Sequence, residues 1–235
     1  MRHLPLKSFA YYDLIEAFAE PGCPVCRLLR RDVARLLDTV LYEYATDRGM
    51  QARFRASRGL CAEHGDQLTR NNNALAIAVL YEQSLHEILE LSGRPALTDR
   101  AKRGLGRLFS ASGGMALADA LEPVQTCLAC ETRASRESGY VRALTDDFGD
   151  AAMQAAYRAS QGLCVEHFRQ TLRQSSVPET AAAIVDIQRD IWTRLRAELN
   201  EFMRKNDTNN SGEAMGTEAD SWRRVVRSVS GDAAG

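Results

Sequence analysis

Alternating runs of Val, Ile and Thr bounded by hairpin turns are missing from this sequence, so little or no sheet is expected. No stretch approaches the roughly 18 apolar residues that a membrane span needs. The opening segment MRHLPLKSFAYYDLIEAF has neither an uninterrupted apolar core nor a small-residue cleavage site, so a cytoplasmic protein with no membrane partner is the expectation. A surplus of one charge is also missing. Thirty Lys plus Arg against 31 Asp plus Glu leave no net field to attract nucleic acid, and the local group Arg27, Arg30, Arg31 and Arg35 reads as a solvated helix face. There is no G-x-x-x-x-G-K-[ST], no G-x-G-x-x-G after a strand and no G-x-S-x-G; the glycines of GLGRLFSASGG lack the preceding strand that a phosphate cradle requires. The carboxylates Asp119, Glu122, Asp146, Asp147, Glu213, Glu218 and Asp220, and the phenols Tyr11, Tyr12 and Tyr81, fall in no spacing that pairs them for chemistry. A non-enzymatic protein is the resulting reading.

Cysteine and histidine are scarce too, at six and four among 235 residues, but they are not scattered. FRASRGLCAEH (54–64) and YRASQGLCVEH (157–167) are nearly the same run, each with Cys and His three residues apart. Each is preceded by a Cys pair, GCPVC (Cys23, Cys26) in the first case and TCLAC (Cys127, Cys130) in the second. All six cysteines and two of the four histidines thus fall in register, while His3 and His86 have no counterpart. The order of parts, Cys pair, helix, Cys and His, helix, occurs twice, which marks an internal repeat.

The chain is long enough for one large core or two modest ones. Leu28, Leu29, Val33, Leu36, Leu37, Val40 and Leu41 recur at helical steps, as do Ile184, Ile187, Ile191, Leu195, Leu199 and Phe202. Ser8 is a candidate N-cap for a helix over 9–19 that Pro21-Gly22 stops, and Pro178 suits the first turn of the last long helix. The fold expected is all-α: a duplicated helical unit forming a pseudo-two-fold bundle. Its parts are an N-terminal helix (1–22), a first repeat (23–93), a connector (94–126) and a second repeat (127–205). A polar tail (206–235) follows, whose short helix would dock through Trp222, Val225, Val226 and Val229.

In a reducing compartment, spaced cysteines favour metal ligation over disulfides. Two sulfurs converge in C-x-x-C at a turn or helix start, and residues i and i+3 of C-x-x-H share a helix face. Two such elements facing each other supply a tetrahedral Cys3His set with no open position for substrate. The simplest pairing stays within a repeat, Cys23 and Cys26 with Cys61 and His64, and Cys127 and Cys130 with Cys164 and His167. A crossed pairing of Cys23 and Cys26 with Cys164 and His167 uses the same residue types. Gly59 and Gly162 would permit the close approach of the returning chain. Glu63 and Glu166, beside each His, read as solvated surface before they read as partners of the ring N–H. Mixed Cys/His ligation favours two zinc ions; a [4Fe-4S] cluster in each repeat is the alternative. Metal-free dithiol chemistry lacks the βαβ context it needs.

GCPVCRL, the repeated GLC-x-E-H and the tail RKNDTNNSGEAMGTEADSWRRVV together resemble an uncharacterised family of bacterial and archaeal proteins with duplicated C-x-x-C and C-x-x-H elements. The resemblance implies Cys23, Cys26, Cys61, His64, Cys127, Cys130, Cys164 and His167 as metal ligands and implies no catalytic activity. The function expected is a metal-binding protein with two Cys3His sites, structural zinc in a scaffold that engages a protein partner; the alternative is an iron-sulfur electron carrier.

Overall fold

The computed structural model describes residues 7–93, 106–208, 210 and 212–232; His3, connector residues 94–105 and five residues of the polar tail lie outside that range. Among the described residues the protein is all-α, with no strand. The helices are α1 (Phe9–Phe18), α2 (Pro24–Thr39), α3 (Arg48–Ala56), α4 (Ala62–Thr69), α5 (Ala74–Ser92), α6 (Gly106–Leu121), α7 (Leu128–Asp146), α8 (Ala151–Ala159), α9 (Val165–Gln174), α10 (Pro178–Lys205) and α11 (Ser221–Ser230). No helix among the described residues is long and apolar enough to cross a membrane.

Local chemistry sets the helix ends. Ser8 Oγ accepts from Tyr11 N at 3.2 Å, the bond expected of an N-cap, and the helix stops ahead of Pro21-Gly22. Asp47 caps α3 by accepting from Met50 N, and Asp150 caps α8 by accepting from Ala152 N and Met153 N. Pro178 opens α10 at a position where a missing N–H leaves nothing unpaired. The end of α2 widens into a π-helical turn, Val40–Tyr44, which still buries Val40 and Leu41. Within the connector, α6 runs from Gly106 to Leu121.

The chain forms two compact units that do not follow the repeat boundaries: residues 1–32 with 134–235, and residues 33–133. In the first, the core gathers Leu14, Phe18, Val25, Leu28, Leu144, Phe148, Met153, Tyr157, Leu163, Ile184 and Ile187. α10 presents Ile184, Ile187, Gln188, Ile191 and Leu195 at three- and four-residue steps, with Leu199 and Phe202 half-buried beyond them. Each fully buried Leu or Ile contributes roughly 1.5–3 kcal/mol of hydrophobic stabilisation. In the second unit the core gathers Val33, Leu37, Val40, Leu41, Phe54, Leu68, Leu80 and Ala129.

Two expectations change. Arg31 does not lie on a solvated face: it donates twice to Asp13, at 3.1 and 2.8 Å, and once to Tyr140 Oη, which in turn donates to Asp32 at 2.6 Å. Burial and the Asp32 carboxylate hold the Tyr140 phenol well above its usual range. The tail helix α11 also docks by another face. Ser221 and Ser228 are buried and Ser228 Oγ accepts from Trp192 Nε1 at 2.7 Å, while Trp222, Val226 and Val229 stay exposed and Val225 is half-buried. The polar anchors, including Arg224 on Glu198 at 2.5 Å, fix the helix with its apolar side outward.

Candidate metal centres

All four Cys-containing pairs share one local structure. Cys23, Cys61, Cys127 and Cys164 each stand immediately before a helix, and their carbonyls accept the first intrahelical bond, from Arg27, Gly65, Glu131 and Phe168 at 3.1, 2.8, 3.0 and 2.9 Å. The second member of each pair, Cys26, His64, Cys130 or His167, lies three residues on in the first turn. N-cap and third helical position face each other across that turn, as in a capping box. The positive end of each helix therefore points at the sulfurs, which favours thiolate.

The ligands assemble across the repeats. Cys23, Cys26, Cys164 and His167 form one tetrad and Cys61, His64, Cys127 and Cys130 the other, with the ligand atoms of each within 4.8 Å of one another. Pairing within a repeat, the simpler expectation, does not occur. α2 and its π turn, residues 24–44, carry the chain roughly 31 Å outward at 1.5 Å per residue, whereas the nine residues of α3 return it by roughly 14 Å. The other repeat has the same inequality, with 19 residues in α7 against nine in α8. Each tetrad lies within one compact unit, the first in residues 1–32 with 134–235 and the second in residues 33–133.

In the first tetrad, His167 Nδ1 stands 3.4 Å from Cys23 Sγ, 3.4 Å from Cys26 Sγ and 3.1 Å from Cys164 Sγ, and the Cys26 and Cys164 sulfurs are 3.8 Å apart. In the second, His64 Nδ1 lies 3.1, 3.7 and 3.4 Å from the sulfurs of Cys61, Cys127 and Cys130, and Cys61 and Cys130 are 3.6 Å apart. Four ligands placed tetrahedrally at ~2.3 Å (sulfur) and ~2.0 Å (nitrogen) from one ion stand about 3.8 Å apart between sulfurs and about 3.5 Å between sulfur and nitrogen. Both tetrads fit a single ion. Among the described residues no other group of three or more His, Cys, Asp or Glu side chains converges in this way. Of the acidic residues and tyrosines weighed for catalysis, Tyr11 donates to Asp150 at 2.9 Å, and Asp147 accepts from Lys7 at 2.8 Å.

The close approach is built on glycine. Gly59 and Gly162 have φ of +85° and +78°, and a Cβ there would stand 2.8 Å from the Tyr81 ring and 2.7 Å from Gln188. Tyr81 Oη accepts from Leu60 N at 3.3 Å, and Gln188 Oε1 accepts from Leu163 N at 2.8 Å and from Tyr157 Oη at 2.5 Å. The residue ahead of each ligand cysteine is thus held by a side chain of the following long helix. Neither Tyr81 nor Gln188 carries a sequence signal for this.

The surroundings differ. His167 Nε2 lies 2.9 Å from Glu137 Oε1, which also accepts from Gln170 Nε2 at 3.1 Å. Glu166, the neighbour considered from sequence, pairs instead with Arg169 at 2.9 Å, and Glu63 pairs with Arg133 at 3.4 Å. Glu137 is two turns past Cys130 on α7. The register position matching Glu137, ten residues past the first cysteine of a pair, is Val33 in the other repeat, and it is buried in the second unit's core. The tail also closes on the first tetrad. Asp232 Oδ2 accepts from Cys23 N at 3.2 Å, Gln161 Oε1 accepts from Gly22 N at 2.9 Å, and a Cβ on Gly231 would stand 3.7 and 3.8 Å from the sulfurs of Cys26 and Cys164.

Protonation follows these environments. Hydrogen bonds from Cys23 and Cys26 hold the Cys164 thiol far below its usual range, and burial pushes Cys23 far above. Burial alone would lower His167, but its bonds to Cys164, Cys26 and Glu137 prevail and raise it to about 11. In the second tetrad burial pulls His64 down and pushes Cys130 up to about 12, helped by Cys61. Burial also opposes ionisation of Cys127, and backbone N–H groups of Cys61, Cys130 and Ala129 outweigh it.

Over residues 13–234 the sequence matches the model of a family of unknown function, DUF6062. It is 24% identical over 220 residues to an uncharacterized 23.9 kDa protein from the xynA 3' region of Caldicellulosiruptor sp. (strain Rt8B.4), across 93% of this chain and 99% of that protein. No solved structure matches. The chain belongs to the DUF6062 family.

Proposed function

We propose that this DUF6062 member is a non-enzymatic metal-binding protein, a duplicated helical unit in which two Cys3His centres each hold one zinc ion and stiffen a scaffold for a protein partner in the cytoplasm. The carrying observation is the mutual spacing of the ligand atoms, all within 4.8 Å in each tetrad. That spacing is what a single tetrahedral ion requires. In a [4Fe-4S] cluster each ligand binds a different iron and sulfide fills the space between, so its thiolates must stand further apart than the ligands of one ion. Three thiolates with one imidazole suit zinc among single ions, and four protein ligands leave no position for a substrate. The crossed assembly supports a structural role: each ion ties together chain segments more than 60 residues apart in sequence. Such cross-links contribute to folding directly, because the unfolded chain offers no preformed site.

Elemental analysis and an absorption spectrum of protein purified without oxygen test this reading. Two zinc ions per chain and no visible absorption are expected. Brown protein containing iron and sulfide overturns the zinc assignment, and protein that takes up no metal overturns the function.

A further inference from the structure

The two tetrads differ in how deeply their sulfurs lie. Cys26 and Cys164 in the first correspond to Cys130 and Cys61 in the second, and each is the closest sulfur pair recorded in its tetrad, at 3.8 and 3.6 Å. In the first tetrad Gly231 of the tail lies over this pair, and Cys23, Cys26 and Cys164 are 3%, 9% and 1% exposed. In the second, Cys61 and Cys130 are both half-buried and only Cys127, at 8%, is buried. In the second tetrad the register of Glu137 is filled by Val33, and among the described residues no carboxylate is hydrogen-bonded to His64 as Glu137 is to His167.

We propose that the second tetrad is an oxidative modification site: a hydroperoxide converts Cys61 and Cys130 to a disulfide and so expels the bound ion, while the first tetrad keeps its own. The site's metal content rests on the reading above. The chemistry balances in two steps. A thiolate of Cys61 or Cys130 attacks the peroxide O–O bond, giving a sulfenic acid and releasing hydroxide (an alcohol after protonation, for an organic hydroperoxide). The other thiolate attacks that sulfur, the S–S bond forms, the S–O bond breaks and a second hydroxide leaves. Two cysteines lose two electrons to one peroxide, and the oxygens leave as water after taking up two protons. The sulfurs start 3.6 Å apart and must close to about 2.05 Å. Cys127 and His64 alone no longer make a four-ligand site, so the ion departs.

The test uses full-length zinc-loaded protein, hydrogen peroxide as the oxidant, a colorimetric chelator to follow zinc and peptide mapping to locate links. The expected result is release of one zinc per chain in step with a Cys61–Cys130 link, with the second zinc leaving at least tenfold more slowly. Equal release of both ions, earlier loss from the first tetrad, or a dominant early link between any other pair overturns the proposal. Cys61→Ser and Cys130→Ser are each expected to abolish the link, and mapping of the wild-type protein keeps the test independent of their folding. Failure of the metal reading shows separately, as protein that takes up no zinc. Mapping then still decides the cysteine assignment, a dominant Cys61–Cys130 link supporting it and any other overturning it.

Discussion

At the first tetrad His167 turns its outer nitrogen to Glu137 and Gly231 covers Cys26 and Cys164; at the second, valine occupies the register of Glu137 and the matching cysteines, Cys61 and Cys130, are half-buried. The inner ligand sets are the same, three cysteines and a histidine at the starts of two helices. Identical ligands therefore do not make identical centres. What a ligand's second nitrogen touches, and what lies over the sulfurs, set how firmly an ion is held and how easily solvent reaches it. On this view the first centre is the permanent one and the second the exchangeable one.

Removing a ligand should have the largest effect and should rank the two centres. Cys164→Ala is expected to lose one metal per chain and to cost on the order of 3–5 kcal/mol, a fall in melting temperature of roughly 6–20 °C for a chain of this size. Cys61→Ala should also lose one metal but cost less, because Cys61 is half-buried whereas Cys164 is 1% exposed. Metal content and thermal melts of both variants measure this. A larger loss for Cys61→Ala reverses the ranking.

The carboxylate comes next. Glu137→Ala should weaken metal binding at the first tetrad by ~10–100-fold and leave the second unchanged, read by competition with a chelator of known affinity. If the two centres then bind alike, Glu137 accounts for their difference; if nothing changes, the covering tail does.

The approach glycines follow. Gly162→Ala and Gly59→Ala each place a Cβ at positive φ and at 2.7–2.8 Å from a side chain, for an expected loss of about 1–3 kcal/mol in denaturant unfolding. Gly162→Ala should be the worse, since Gln188 is fully buried whereas Tyr81 is half-buried and has room to turn.

Much of this was legible in the sequence because the signals are local. Helical spacing in 28–41 and 184–202, the cap at Ser8 and the glycine before each Cys and His pair depend on a few neighbouring residues, and each appears in the structure. The eight residues that converge in two Cys3His groups were legible because the repeat doubled a rare pattern. Their crossed pairing was not, since both pairings use the same residue types and the choice is made by which distant segments fold into one compact unit. Glu137, Gln188, Tyr81 and Asp232 are ordinary polar residues whose roles arise only when distant segments meet. The tail helix misled for a related reason: an apolar face is the natural anchor in sequence, yet Ser228 and Arg224 hold it here.

Asp232 gives the smallest and most selective prediction. Its Oδ2 accepts from Cys23 N at 3.2 Å while Oδ1 lies 3.4 Å from Arg227 Nε, so one carboxylate joins the tail to the backbone of a ligand. Asp232→Ala removes that charged acceptor, and a hydrogen bond to an ionised group is worth about 1.5–3 kcal/mol at most. Part of this returns because Cys23 N can bond water once the tail lifts, and α11 keeps its anchors at Ser228 and Arg224. Global stability should therefore fall by no more than about 1 kcal/mol. Access to Cys26 and Cys164 should rise far more, because Gly231, next in sequence, is what covers them. In the zinc-loaded variant, zinc should leave the first tetrad in peroxide severalfold faster while the second keeps its wild-type rate. Unchanged release from the first tetrad means that the tail covers the sulfurs without guarding them, and that their protection comes from Glu137 and depth in the core.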